Sequence, residues 1–309
     1  MTPMVEAPSL QDIPLVTEPG RNGSARALVH LVRHSGPGLA GFSILAIFAA
    51  AAVAAPLLAP YDPTAQVAAP FSSPGRDHLL GTNDIGQDIL SELIFGARIS
   101  LGVAVLVATL ATLVASLLGL IAGYSQGWMA SGVMRFVDVV LVLPFLPLML
   151  VVATVFGPGV GTQILVIGLL LWARPARVIR AATLAVKTAG HIEAAVWMGA
   201  TSPYIIRRHV LPRVTPVIVA EFVRAANIAI LIEAALAFLG LGDPVAKSWG
   251  TMLFYAQARA AFLTGAWVYW VLPAGLCITA VVLGFALLGF ALEQGTDPRL
   301  RKRGWLGTA

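Results

Sequence analysis

Charge is scarce in this chain. Only 11% of its 309 residues are Asp, Glu, Lys or Arg, against roughly 25% in a soluble domain, so it cannot clothe its apolar surface for water. Cysteine is scarcer still. Cys277 stands alone, which excludes an intramolecular disulfide, and its place in an apolar run makes it a small packing residue. The histidines (His30, His34, His78, His191 and His209) are scattered outside the apolar runs. No metal-ligand cluster and no Ser/His/Asp set can be assembled from them. A phosphate loop of the form Gly-x-x-x-x-Gly-Lys-Ser/Thr is missing too, since Gly157-Pro158-Gly159-Val160-Gly161 lacks the lysine. Nothing here hydrolyses a nucleotide unaided.

What the chain has in abundance is oil. Hydrophobic residues make up 58% and the mean hydropathy is +0.85, with several apolar runs of about 20 residues, the length that crosses a hydrocarbon core as a helix. We expect an all-α membrane protein with six transmembrane helices, near 38–59, 99–123, 133–156, 163–179, 214–241 and 267–292. Pro144 and Pro147 fall within the third run and should bend it. Such bends are tolerated where neighbouring helices re-satisfy the freed carbonyls, so the third span belongs inside the bundle.

Basic residues set the orientation. Arg21, Arg26, Arg33, Arg135, seven residues between Arg174 and Arg213, and Arg299, Arg301, Lys302 and Arg303 fall on one side; Arg76, Arg98, Lys247 and Arg259 fall on the other. This division places both termini in the cytoplasm of a multi-pass inner (plasma) membrane protein. It also explains the net charge of +5 as topology, not nucleic-acid binding. The leader before the first run exceeds the length of a signal peptide's charged region, so that run is a retained span. Residues 1–36 read as a flexible cytoplasmic arm, 37–296 as the permeating domain and 297–309 as a basic cytoplasmic tail.

The longest basic loop, about 187–213, is itself structured. Glu193 sits in the first turn of a short helical run, where a carboxylate meets the positive end of the helix dipole. Gly199 suits a left-handed helix terminus. Ser202 can cap a second helix with Pro203 at its first position, and Leu211-Pro212 should stop that helix before span five. Two short helices at a glycine hinge form an elbow. Ala194 and Ala195 offer a face for close protein approach, although an amphipathic helix resting on headgroups has the same outline. Within the spans, Glu221 and Arg224 lie three apart on one helical face and can pair. Glu233 lies three turns on, and Asp138 opens span three. Intramembrane charges line a pathway or hold helices together.

The run Glu193-Ala194-Ala195, Gly199, Ile205, Leu211-Pro212 resembles the EAA loop of permease subunits in binding-protein-dependent ABC importers. His78-Leu79-Leu80-Gly81-Thr82-Asn83-Asp84-Ile85-Gly86-Gln87-Asp88, continuing to Gly96-Ala97-Arg98-Ile99-Ser100-Leu101, is similar to the C-type permease of the dipeptide/oligopeptide/nickel branch. So are Ala59-Pro60-Tyr61-Asp62-Pro63, Glu233-Ala234-Ala235, Phe238-Leu239-Gly240-Leu241-Gly242, Ser248-Trp249-Gly250 and Asp297-Pro298-Arg299-Leu300. Gln87 stands where an arginine is common and Asn83 where an aspartate is, which unsettles a charge pair outside.

The resemblance implies a type I ABC importer permease fold and one half of a translocation pathway for short peptides, with nickel or a nickel complex as the alternative cargo. It implies a second homologous permease subunit, two ATP-binding subunits that hold ATP and Mg, and an extracytoplasmic solute-binding protein. This chain itself carries no cofactor. Glu193, Ala194, Ala195 and Gly199 would couple to the ATPase, and Asp84, Asp88 and Trp249 would meet the binding protein. An ion-driven secondary transporter is the reading from another class. It favours internal repeats, and spans one to three do not repeat convincingly in four to six.

Overall fold

A computed structural model describes residues 32–296, so the expectations for the arm before residue 32 and for the tail 297–309 lie outside the described residues. Among the described residues there is no strand, and two isolated bridges, Gln66 with Gln87 and Thr82 with Asp88, fasten one long loop. Helix α1, Gly36–Val53, opens where the Ser35 hydroxyl accepts from the Gly38 amide at 3.2 Å. Helix α2, Ile89–Tyr124, is capped by Asp88, whose carboxylate accepts from Ser91 N. It contains no proline, and its 36 residues extend about 54 Å, farther than a bilayer core is thick.

Helix α3, Trp128–Val142, ends at Leu143, held extended by the proline that follows. Helix α4, Phe145–Phe156, then begins with Pro147 in its first turn, where a missing N–H costs nothing. The two axes meet at 84°. This bend turns α4 outward, and Met149 is its one fully buried side chain among those described. The third span therefore lies on the flank of this chain and not, as expected, inside its bundle.

The fourth expected span is divided as well. Helix α5, Val160–Leu171, has 12 residues and reaches about 18 Å. At Trp172 it passes into α6, Ala173–Lys187, which buries Ala173, Ala176, Ile179 and Thr183 and exposes Arg174 and Arg177. Helix α7 is Gly190–Trp197, α8 is Leu211–Leu236, α9 is Trp249–Ala258 and α10 is Trp267–Thr296. Among the described residues, four helical stretches are long and apolar enough to cross a membrane: α1, α2, the continuous run through α8 and α10; α3 with α4 makes a fifth if the bent pair counts as one.

Helix α2 is the axle, packed against α1, α5, α6 and α8, while α10 joins α1 to α8. Between apolar helices in lipid there is little hydrophobic gain, so association relies on close backbone approach at small residues. Ala104, Ala108, Ala111, Ala115 and Ala122 are all buried along α2. A methyl at Gly119 would fall 2.8 Å from the Ala176 carbonyl oxygen, and one at Gly123 would fall 2.5 Å from Thr183 Cβ. On the far side, a methyl at Gly41 would fall 2.6 Å from the Gly284 carbonyl oxygen.

Gly123→Val should therefore force α2 and α6 apart at a cost of about 1–3 kcal/mol and reduce the monodisperse fraction in detergent. Gly102→Ala, at a helical position with open space around it, should leave that fraction unchanged. Equal size-exclusion profiles for the two variants would refute the packing account.

Candidate functional site

The elbow lies at the Tyr124 end of α2. Ile192 points inward and packs with Ile179, Ile205, Val210 and Val214, and Ala195 is buried as well. Successive helical residues are about 100° apart, so the alanine pair is split: Ala195 is buried while Ala194 and Glu193 are exposed. The expected two-alanine docking face is thereby corrected. The outward crest is Glu193, Ala194, Trp197 and Met198, the last two 90% and 81% exposed. An exposed tryptophan beside a glycine hinge is the signal that reading for small residues overlooked.

Gly199 closes α7 with φ at +80°. Its amide donates to the Val196 carbonyl and the Ala200 amide to the Ala195 carbonyl, the paired bonds of a Schellman terminus. Beyond it the structure departs from the two-helix expectation. Thr201, not Ser202, takes the cap position, and its side chain makes no capping bond. The turn Ser202–Ile205 runs through a π-helical stretch, Ile206–Val210, directly into α8. Leu211-Pro212 does not stop the helix. The Leu211 amide donates back to Ile206, so the wider turn is already in place where Pro212 brings no donor, and the ring is accommodated. Arg207 and Arg208 stand exposed on that stretch.

Two polar contacts brace the elbow. Arg213 Nη1 donates to His191 Nε2 at 2.5 Å, linking α7 to α8. Lys187 Nζ donates to the Tyr124 carbonyl oxygen at 2.5 Å and lies 5.2 Å from the Tyr124 ring centroid, linking α6 to the end of α2. The first ties α7 to α8, and the second ties the end of α6, separated from α7 by two residues, to α2.

The intramembrane charges separate into distinct environments. Arg224, half-exposed, bridges two carboxylates: Glu221 at 3.6 Å within α8, and Glu293 of α10. Asp138 pairs with Arg177 in the open between α3 and α6. Glu233 is enclosed. It accepts from Ser100 Oγ at 3.3 Å, and the same hydroxyl accepts from the Trp249 amide at 3.2 Å. That chain of bonds pins α8, α2 and α9 together, so Glu233 is a structural contact.

At the opposite end of α2 the residues expected to meet a binding protein have mostly turned inward. Trp249 is wholly buried; its Nε1 donates to the Leu93 carbonyl at 2.9 Å, over Gly96. Asp88 is buried too, capping α2 through Ser91 and contacting His78 Nδ1 at 3.0 Å. Asp84 is partly accessible but holds Arg259 Nε at 3.1 Å. Carboxylates and indole N–H groups need partners, and here α2 itself, His78 of the loop before it and Arg259 after α9 supply them.

Beneath that loop lies a second polar knot. Asn83 and Gln87, the two positions where charged residues were looked for, bond each other: Asn83 Nδ2 donates to Gln87 Oε1 at 2.9 Å and to Glu92 Oε1 at 3.0 Å. Lys247 Nζ reaches Glu92 at 2.9 Å and Gln87 at 3.0 Å. The buried charge pair at this end of the bundle, among the described residues, is therefore Glu92 with Lys247, bonded to neutral amides.

The model of the family described as "binding-protein-dependent transport system inner membrane component" matches residues 115–302. The chain is 34% identical over 291 residues to a protein of Brucella suis biovar 1 (strain 1330) named as a peptide permease, covering 94% of each chain. It is 33% identical over 267 residues to the dipeptide transport system permease protein DppC of Bacillus subtilis (strain 168), covering 85% of this chain and 82% of that one. Among solved structures, a chain from inward-facing conformations of the MetNI methionine ABC transporter superposes with a TM-score of 0.51 at 18% identity, over 69% of this chain and 97% of that chain. The fold is accordingly that of a type I ABC importer permease.

Lys247→Met should leave Glu92 buried without its counter-charge and destabilise the outer cap by about 3–5 kcal/mol. Adding Glu92→Gln should recover most of the loss, read as the thermal midpoint of the purified protein. A double variant as unstable as the single one would contradict the pairing.

Proposed function

This chain belongs to the binding-protein-dependent transport system inner membrane component family, and from that membership we propose that it forms half of the translocation pathway of an ATP-driven importer of short peptides. The family is a membrane permease component of ABC transporters, and hydrolysis is the task of separate ATPase subunits. The peptide-permease and dipeptide-permease relatives support the cargo class. On this reading a second, homologous permease completes the pathway. Two ATP-binding subunits holding ATP and Mg lie beneath, and an extracytoplasmic solute-binding protein delivers cargo above.

The observation that carries the reading is the crest of Glu193, Ala194, Trp197 and Met198. It is apolar but for Glu193, and it projects at the end of the bundle where the basic residues concentrate. A tryptophan and a methionine left in water are costly, and such a crest suits a groove on the ATPase. The excess of Arg and Lys at this end makes it cytoplasmic, with both termini on the same side. Only states that the nucleotide binds differently can be driven, so closure of the ATPase must displace α7. The bracing at His191–Arg213 and Lys187–Tyr124 conveys that displacement to α8 and α2. Arg224, half-exposed between Glu221 and Glu293, lines the pathway toward its cytoplasmic mouth.

In the reconstituted complex, hydrolysis should rise when peptide-loaded binding protein is added. Gly199→Val, at φ +80°, should cost about 1–2 kcal/mol of backbone strain and uncouple hydrolysis from uptake. Gly199→Asn, which tolerates that conformation, should retain coupling. Uptake that persists without ATP in ion-energised vesicles would overturn the assignment in favour of a secondary transporter. Arg224→Ala should lower uptake severalfold at unchanged membrane levels; undiminished uptake would remove it from the pathway.

A further inference from the structure

The cap at the end of α2 opposite the elbow holds a feature that neither the elbow nor the helix packing uses. Two cavities, of about 550 and 440 Å³, adjoin along Pro63, Thr64 and Phe95. Asp62 lines the first. Arg98 and Lys247 line the second. Together they form one open groove, anionic at one end and cationic at the other, with each half in the size range of small-molecule sites.

Both ends are chemically prepared. The Asp62 side chain is exposed, and its Oδ1 accepts from the Thr64 amide at 2.7 Å and the Thr64 hydroxyl at 2.5 Å. Those bonds, the hydroxyl's foremost, hold its carboxyl below the usual carboxylate range. A carboxylate has lone-pair sites beyond the two used here. At the other end Arg98 is exposed, with its guanidinium carbon 5.9 Å from the Phe95 ring centroid. Phe95 and Arg98 are three residues apart on α2, so the ring supports the side chain from the same face. Arg177, Arg224, Lys247 and Arg259 each hold a carboxylate, whereas Arg98 makes no ion pair among the described residues. Lys247 is already committed to Glu92, which leaves the guanidinium as the groove's available anion receptor. Its planar fork fits a carboxylate through two parallel bonds.

We propose that this groove binds the zwitterionic backbone of a short peptide, with the α-ammonium at Asp62 and the terminal carboxylate at Arg98. Between them Pro63, Thr64 and the Phe95 ring offer little that would discriminate one side chain from another, so the groove reads termini and tolerates sequence. The inference rests on the peptide-import reading and adds a first landing place for cargo at the outer mouth. A zwitterionic phospholipid headgroup shares the same chemistry, and the experiment separates the two sources.

The intact importer complex, without its binding protein, is placed in phosphatidylglycerol nanodiscs and titrated calorimetrically with dialanine, N-acetyl-dialanine and dialanine amide. Saturable binding of dialanine is expected, weakened about tenfold or more by either block, as the loss of one charge-assisted contact implies. Arg98→Gln should abolish the preference for the free carboxylate and keep the preference for the free amine; Asp62→Asn should do the reverse. Both positions are exposed, and a wild-type elution profile checks that the variants fold. The groove is not a peptide site if dialanine does not bind saturably, or if both variants keep the wild-type preferences. The same holds if phosphatidylethanolamine nanodiscs abolish binding, since a headgroup is then the occupant. Uptake of dialanine from loaded binding protein is measured in parallel. Normal uptake without groove binding sinks this inference alone, whereas absence of any peptide uptake sinks the parent reading.

Discussion

The backbone contact between α2 and α6 governs this molecule. Gly119 and Gly123 leave no space for a methyl against Ala176 and Thr183, and the buried alanines of α2 continue the seam. In lipid, where burying oil against oil gains little, such proximity is the principal source of cohesion between helices. Because α2 also touches α1, α5 and α8, its position fixes both ends of the molecule at once: the elbow beside Tyr124 and the polar cap beside Asp88.

The ends answer different physical demands. At the cap, polar residues of the loop and of the first turn of α2 are satisfied within the chain: Asp88 by Ser91 and His78, Glu92 by Lys247 and Asn83. At the elbow, polar bonds fix the frame and leave an apolar crest outside it. The buried charges of the cap are satisfied within the chain, whereas the crest of the elbow stays exposed. Under the function proposed above, the exposed crest is the surface that the ATPase would cover.

Much of this was legible in the chain itself. The apolar runs, the asymmetry of Lys and Arg, and the hinge at Gly199 follow from lengths and local periodicity, and the bend at Pro144 follows from the geometry of proline. The helix that continues through Leu211-Pro212 was not legible, because a π-turn upstream removes the conflict that proline would create. Nor was the division of the alanines at 194 and 195, which depends on Ile205, Val210 and Val214 filling one side of α7. Trp249 was expected to meet the binding protein and is instead wholly buried in the cap.

Sequence alone determined that the chain lives in a membrane, which end carries the basic face and where the hinge falls. These are properties of nearby residues and of the solvent they require. Tertiary structure decided which charges are spent internally and which remain for a partner or a ligand. The partner of a buried group can lie anywhere along the chain: Lys247 meets Gln87 across 160 residues, a distance over which local pattern carries no information.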